Sequence, residues 1–154
     1  MELTRLLLSG TLQKVKEVKN VGAAINFMIA RINISPTQVG VRAGIPVPKV
    51  HRIINNKIES PKLEDLIRII LAFQLTLDDA EYFLALGHRA LRPRGLDPLD
   101  DAFRDIIEIY SNCKIEESNE SWITRANTEL NNRNLKWPSD KDLSDGGTAK
   151  KDMA

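Results

Sequence analysis

The sequence predicts an all-α protein in which a five-helix domain is followed by a helical extension. Apolar residues recur at spacings of three and four in successive segments, as they do on the buried face of a helix. Capping and helix-breaking residues separate these segments, with Ser-Pro pairs at helix starts and glycine at helix ends. A chain of 154 residues with 42% hydrophobic content is long enough for one good core and an appendage.

The chain begins with residues 1–20, which we predict as an N-terminal helical segment. Its leucines and valines fall near helical spacing, although Gly10 weakens the helix. Three arrangements stay open, in which the segment docks on the domain, pairs with a second copy or remains partly mobile. The domain itself is predicted over residues 21–88. Its first helix ends at Asn33 and carries an apolar face made of Ala24, Ile25, Met28, Ile29 and Ile32.

The next segment is predicted to form a short helix, about residues 36–43, that ends in a tight turn. Ser35 provides a side-chain acceptor at the cap, and Pro36 suits the first turn because its φ is fixed and it lacks an N–H. Gly44 ends the helix as a residue that takes a left-handed conformation at no steric cost. Gly40 leaves room for another helix to approach closely.

The helix after the turn, about residues 48–55, is predicted to be amphipathic and basic. Val50, Ile53 and Ile54 form an apolar stripe at spacings of three and four. Lys49, Arg52 and Asn55 are expected on the opposite side. Two short helices with this layout are typical of a helix-turn-helix, whose second helix enters the DNA major groove.

Two more helices are predicted to complete the domain. Ser60-Pro61 is expected to start the fourth, with acidic residues in its first turns, where the helix dipole favours them. Its buried stripe comprises Leu63, Leu66, Ile67, Ile70 and Leu71. The fifth follows a break at Thr76 and is expected to close at Gly87.

The remainder is predicted as a linker over residues 89–97, a helical extension over 98–136 and a disordered tail over 137–154. In the extension, apolar side chains at spacings of three and four form a stripe: Leu99, Phe103, Ile106, Tyr110 and Cys113. Such a stripe joins two copies of the chain or folds back on its own domain, and we favour the dimer. A further helix is expected around Trp122 and Leu130.

Charge is distributed unevenly along the chain, although the net charge is only +1. Residues 1–58 contain nine lysines and arginines against two glutamates, a balance of +7, and the rest of the chain has a balance of −6. No acidic residue occurs from Val18 to Ile58. A polyanion is therefore attracted to the end that contains the amphipathic helix.

The stretch from Ser35 to Lys62 resembles the Cro/repressor-type helix-turn-helix proteins, also called the XRE family. Ser35 at the cap, Gly40 at the helix crossing and Gly44 in the turn carry this resemblance, together with the apolar pair Val50 and Ile53. The resemblance implies a DNA-binding domain over residues 22–88. It also implies sequence-specific binding of duplex DNA to regulate transcription, with repression the expected mode, by a homodimer that reads two half-sites.

The resemblance also indicates which residues contact DNA. Arg52 is expected to read guanine, with Lys49 and His51 as secondary readers. Val47 and Pro48 stand where family members present polar residues, and they are expected to touch a thymine methyl group instead. Phosphate contacts are expected from both ends of the motif, at Ser35, Thr37, Asn55, Asn56, Lys57 and Lys62.

A protein-binding role is the alternative, in which an antitoxin or phage-type inhibitor uses its acidic C-terminal half to hold a protein partner. An enzyme is not expected, because no catalytic constellation is visible. His51 and His88 stand far apart, and Cys113 is the single cysteine, so no metal or other cofactor is expected. No apolar run is long enough for a bilayer, and a reducing cytoplasm is the expected setting.

Overall fold

A computed structural model describes residues 12, 18–112 and 121–139 of the chain. This part contains seven α-helices and no strand, so the predicted all-α class is confirmed. The helices are α1 (Val21–Ile32), α2 (Pro36–Ala43), α3 (Val47–Ile54), α4 (Leu63–Phe73), α5 (Leu77–Leu86), α6 (Pro98–Ser111) and α7 (Ser121–Asn132). None of these helices is long and apolar enough to cross a lipid bilayer.

The first helices begin and end at the residues that local signals predict. The Asn20 side chain caps α1 by accepting from the Ala23 N–H at 2.8 Å, and Asn33 ends it in a left-handed conformation at φ 57°. The predicted bounds of α2 are confirmed, with Ser35 at the cap and Gly44 at φ 68°. The helix predicted for the N-terminal segment lies almost entirely outside the described residues.

The fourth helix starts two residues later than predicted. α4 begins at Leu63, and Lys62 stands at its N-cap with extended backbone at ψ 147°. Pro61 is buried in the preceding turn, where its carbonyl accepts from Arg89 Nε at 3.0 Å. The Ser60-Pro61 pair therefore belongs to a loop that the distant Arg89 holds, and the predicted start is wrong.

One hydrophobic core joins the N-terminal helices to α6 and α7. Helix α6 packs on α4 and α5, and α7 packs on α6, α4 and α2. Phe103, Ile106 and Tyr110 are 0–2% exposed, and the half-buried Leu99 packs against the same core. The predicted dimer stripe is thus internal, because these side chains are already covered by their own chain. Cys113 lies outside the described residues.

The predicted linker, residues 89–97, is held on α6 by hydrogen bonds. Asp100 accepts from the Arg92 N–H at 2.9 Å, and Arg104 donates to the Arg92 carbonyl at 2.8 Å. The prediction of a disordered tail is wrong at its first residue, because Trp137 is only 2% exposed. Its ring packs beside that of Phe103, with centroids 5.4 Å apart.

Candidate nucleic-acid interface

The start of α2 is closed by a reciprocal capping box. Ser35 Oγ accepts from the Gln38 N–H at 3.2 Å, and Gln38 Oε1 accepts from the Ser35 N–H at 2.8 Å. The serine hydroxyl keeps its own hydrogen to donate, and Thr37 beside it is exposed. A serine followed by glutamine three residues later is the sequence signature of such a box, so Gln38 is a signal for this helix start in addition to Ser35.

Gly40 lies against the turn and the first residues of α3. A Cβ atom added there would be 2.8 Å from the Ile45 carbonyl oxygen and 3.3 Å from Val47 Cγ2. The first distance is shorter than real side chains tolerate, so the absence of a side chain lets the two helices pack. The predicted close approach at Gly40 is confirmed.

Helix α3 has two opposite faces. Val50, Ile53 and Ile54 are 0–8% exposed and pack into the core, which confirms the predicted apolar stripe. Residues at spacings of three and four on the other side are all exposed, and we name them the α3 outer face: Pro48, His51, Arg52 and Asn55.

Arg52 and His51 are the polar groups of this face that suit base recognition. Neither side chain has a hydrogen bond or ion pair with another described residue. Arg52 carries a fork of donors that matches guanine O6 and N7, and it is not engaged elsewhere in the described structure. The α3 outer face thus presents donors toward solvent.

Lys49 lies on the flank of α3 and has a protein partner. Its Nζ is 2.7 Å from Asp65 Oδ2 in the first turn of α4. The Lys49 side chain is 31% exposed and that of Asp65 is 10% exposed. Sequence reasoning placed Asp65 near a helix start but did not detect the pair, since the two residues are sixteen positions apart.

The remaining predicted contact residues differ in exposure and in their contacts with the rest of the chain. Val47 is half-buried over Gly40. Asn56 is left-handed at φ 56°, and its Oδ1 accepts from the Gly22 N–H at 3.3 Å, so it also joins α3 to α1. Lys57 and Lys62 are exposed.

Two arginines of the acid-free stretch are in part covered by other groups of the chain. Arg31 lies over the Phe27 ring, with Cζ 4.9 Å from the centroid. Arg42 is half-buried, and desolvation lowers the pKa of its guanidinium. In the acidic part of the chain, Asp105 is within 3.0 Å of guanidinium nitrogens of both Arg94 and Arg133.

A cluster at the start of α4 connects the helix pair to the C-terminal residues. Ser139 donates to the Glu64 carboxylate from its N–H at 2.7 Å and from its hydroxyl at 2.6 Å. Arg68 pairs with Glu64 at 3.1 Å, donates to the Ala43 carbonyl at 3.4 Å and lies 4.2 Å from the Trp137 ring centroid. We name Glu64, Arg68, Trp137 and Ser139 the α4 clasp.

Sequence reasoning missed the α4 clasp because its partners are about seventy positions apart. The composition of the segment gives one sign that it is ordered, since disordered segments contain few aromatic residues and Trp137 is a tryptophan. The clasp matters for the candidate interface because Arg68 contacts the last residue of α2. It therefore braces the turn between α2 and α3, where a Cβ atom added to Gly44 would be 2.9 Å from Arg68 Nη1.

Within residues 12, 18–112 and 121–139, no group of three or more His, Cys, Asp or Glu is placed to hold a metal ion. Comparison with protein-family models, with curated proteins and with solved structures found no match to this chain. The helix pair and its exposed side chains are therefore the features from which a function is inferred.

Proposed function

We propose that the chain binds duplex DNA sequence-specifically through the α3 outer face and regulates transcription, with repression as the expected mode. The domain of residues 21–88 is then of the Cro/repressor type that the sequence resembles. The observation that carries the proposal is the division of α3, in which Arg52 and His51 are exposed opposite a fully buried apolar stripe. This division lies within a stretch that contains no acidic residue.

The roles follow from the position of each group. Arg52 reads a guanine edge, with His51 beside it. Ser35 and Thr37 at the start of α2 hold one phosphate segment, and Lys57 and Lys62 hold another. Lys49 contributes positive potential on the flank and is partly neutralised by Asp65.

A homodimer on two half-sites is part of the proposal. Because Phe103, Ile106 and Tyr110 are buried within one chain, the dimer contact uses a surface other than the predicted stripe. Selection from random duplexes, followed by sizing of the complex, tests this directly. A palindromic consensus bound by two chains supports the dimer, and an asymmetric site bound by one chain contradicts it.

The base-reading role of Arg52 is tested by comparing an Arg52 variant with a Lys57 variant. Arg52→Ala should weaken binding to the selected site by about 1–3 kcal/mol and relax preference at one base position. Lys57→Ala should weaken binding to all duplexes alike and reduce the salt slope by about one, since it removes one phosphate contact. Fluorescence anisotropy titrations at several salt concentrations measure both effects.

Two results would contradict the proposal at different levels. If random-sequence selection with the full chain yields no preferred duplex, sequence-specific DNA binding is wrong. If a preferred duplex is found but Arg52→Ala weakens specific and random DNA equally, the function stands and the assignment of Arg52 is wrong. Thermal melting of each variant establishes that it is folded.

A further inference from the structure

The first turn of α3 is poor in hydrogen-bond donors. Pro46 stands at its N-cap and makes no side-chain cap bond. Pro48 has no N–H, and the N–H groups of Lys49 and Val50 both donate to the Pro46 carbonyl, at 3.0 and 3.1 Å. The exposed start of the α3 outer face is therefore the apolar ring of Pro48. It offers a ligand neither a polar side chain nor a backbone N–H.

Pro48 belongs to the same face as Arg52. The two residues are four positions apart, so they are neighbours on one side of the helix, about 6 Å apart along its axis. Base pairs are stacked about 3.4 Å apart, so the two side chains meet bases that are one or two steps apart.

The chemistry of the groove determines what such a ring recognises. Thymine is the base that presents a methyl group in the major groove, whereas the other three present only donors and acceptors there. Packing a proline ring on the methyl removes apolar surface from water. Packing the same ring on another base covers polar groups without giving them a partner, which is unfavourable.

We infer that Pro48 selects a thymine in the half-site, one or two base pairs from the guanine that Arg52 reads. This inference rests on the proposed function and specifies its target more closely. The α3 outer face then combines two kinds of readout, an apolar contact at its start and a charged donor fork one turn later. The exposed cationic residues Arg52 and Lys57 favour DNA over a protein as the occupant of this apolar start.

The experiment replaces each thymine of the selected duplex by uracil, which removes only the methyl group. With the unaltered protein, uracil at one position of the half-site should lower affinity about three- to tenfold, as expected for a lost apolar contact. All other thymines should tolerate the change. The sensitive thymine should lie one or two base pairs from the position whose preference Arg52→Ala relaxes.

Two variants assign the effect to Pro48. Pro48→Ser replaces the ring by a hydroxyl and should bring the thymine-to-uracil affinity ratio at the sensitive position close to one. Val41→Ala is the matched control, because Val41 is a 49% exposed apolar residue of α2 that lies off the α3 outer face. It should leave the ratio unchanged.

The other possible results of the uracil experiment each contradict one part of the inference. A preferred duplex that tolerates uracil at every position overturns the thymine contact and leaves the proposed function intact, as expected if the apolar start of α3 serves a protein partner instead. A sensitive thymine whose ratio is unchanged in Pro48→Ser overturns the role of Pro48. Absence of any preferred duplex overturns both the inference and the proposed function.

Discussion

Lys49 differs from the other cations of α3 in what its side chain contacts. Arg52 faces solvent, but the Lys49 ammonium sits 2.7 Å from the carboxylate of Asp65, which is itself buried. Removing one partner of such a pair leaves the other charge desolvated and unpaired. Mutation of Lys49 therefore changes stability as well as any affinity for a polyanion.

We predict that Lys49→Met lowers the free energy of unfolding by about 1–3 kcal/mol. Arg52→Met, at an exposed position of the same helix, should change it by no more than about 0.5 kcal/mol. Urea unfolding followed by circular dichroism measures both. The double variant Lys49→Met/Asp65→Asn should recover part of the loss. If Lys49→Met and Arg52→Met are equally stable, the ion pair does not form in solution.

At the scale of helices, sequence signals predicted the helix bounds that depend on contacts between residues close in sequence. The bounds of α2 follow from Ser35 and Gly44, whose cap bonds reach no further than four residues. The start of α4 was misplaced because Pro61 is held by Arg89, a contact across 28 residues. The two faces of α3 were predicted from periodicity, whereas the pairing of Lys49 was not, because it depends on how two helices meet.

The α4 clasp is the element-scale feature that periodicity did not reveal. Trp137 lies between Phe103 of α6 and Arg68 of α4, and its ring Nε1 also hydrogen-bonds to Asn127 of α7. A single side chain thus joins three helices. Sequence patterns report which face of a helix is apolar but not which distant residue covers it, so a tail was expected where the core continues.

Trp137→Ala should lower the free energy of unfolding by about 3–5 kcal/mol, because it leaves a cavity between these helices. Trp137→Phe should be milder, since it keeps an aromatic ring and loses only the indole donor. Leu96→Ala is the control, because Leu96 is 68% exposed and its loss should be nearly neutral. If Trp137→Ala unfolds at the same urea concentration as this control, Trp137 is not part of the core.

Across the whole molecule, several ion pairs of the described residues lie within the acidic C-terminal part of the chain, among them those of Asp105. Burial acts to raise the pKa of the Asp105 carboxyl, but hydrogen bonds from Arg133 and Arg94 outweigh it, so the pKa lies below its ordinary value of 3.8. These bonds tie the segment before α6 and the end of α7 to one carboxylate. Protonation of Asp105 removes the negative charge that attracts both arginines.

A lowered pKa in the folded state means that Asp105 stabilises the fold above pH 3.8 and loses this effect as the pH falls through the folded-state value. We therefore predict that Asp105→Asn is less stable than the unaltered chain at pH 6 and that the difference shrinks below about pH 3.8. Urea unfolding at a series of pH values measures it. Glu108→Gln is the control, because Glu108 is more exposed and its partner Arg94 is 3.6 Å away, so its loss of stability should be smaller at every pH. If the stability difference between Asp105→Asn and the unaltered chain is the same at every pH, the lowered pKa of Asp105 is contradicted.

The α4 clasp is completed late in the synthesis of the chain, because its members are far apart in sequence. Helix α3 ends at residue 54, whereas the bond from Ser139 to Glu64 spans 75 positions. A ribosome that adds about 5–20 residues per second needs roughly 4–17 s to proceed from the end of α3 to Ser139. Throughout that interval α2 and α3 exist as nascent chain while Trp137 and Ser139, the last members of the α4 clasp to be translated, have yet to be made. The helix pair is thus translated well before the clasp beside its turn is complete.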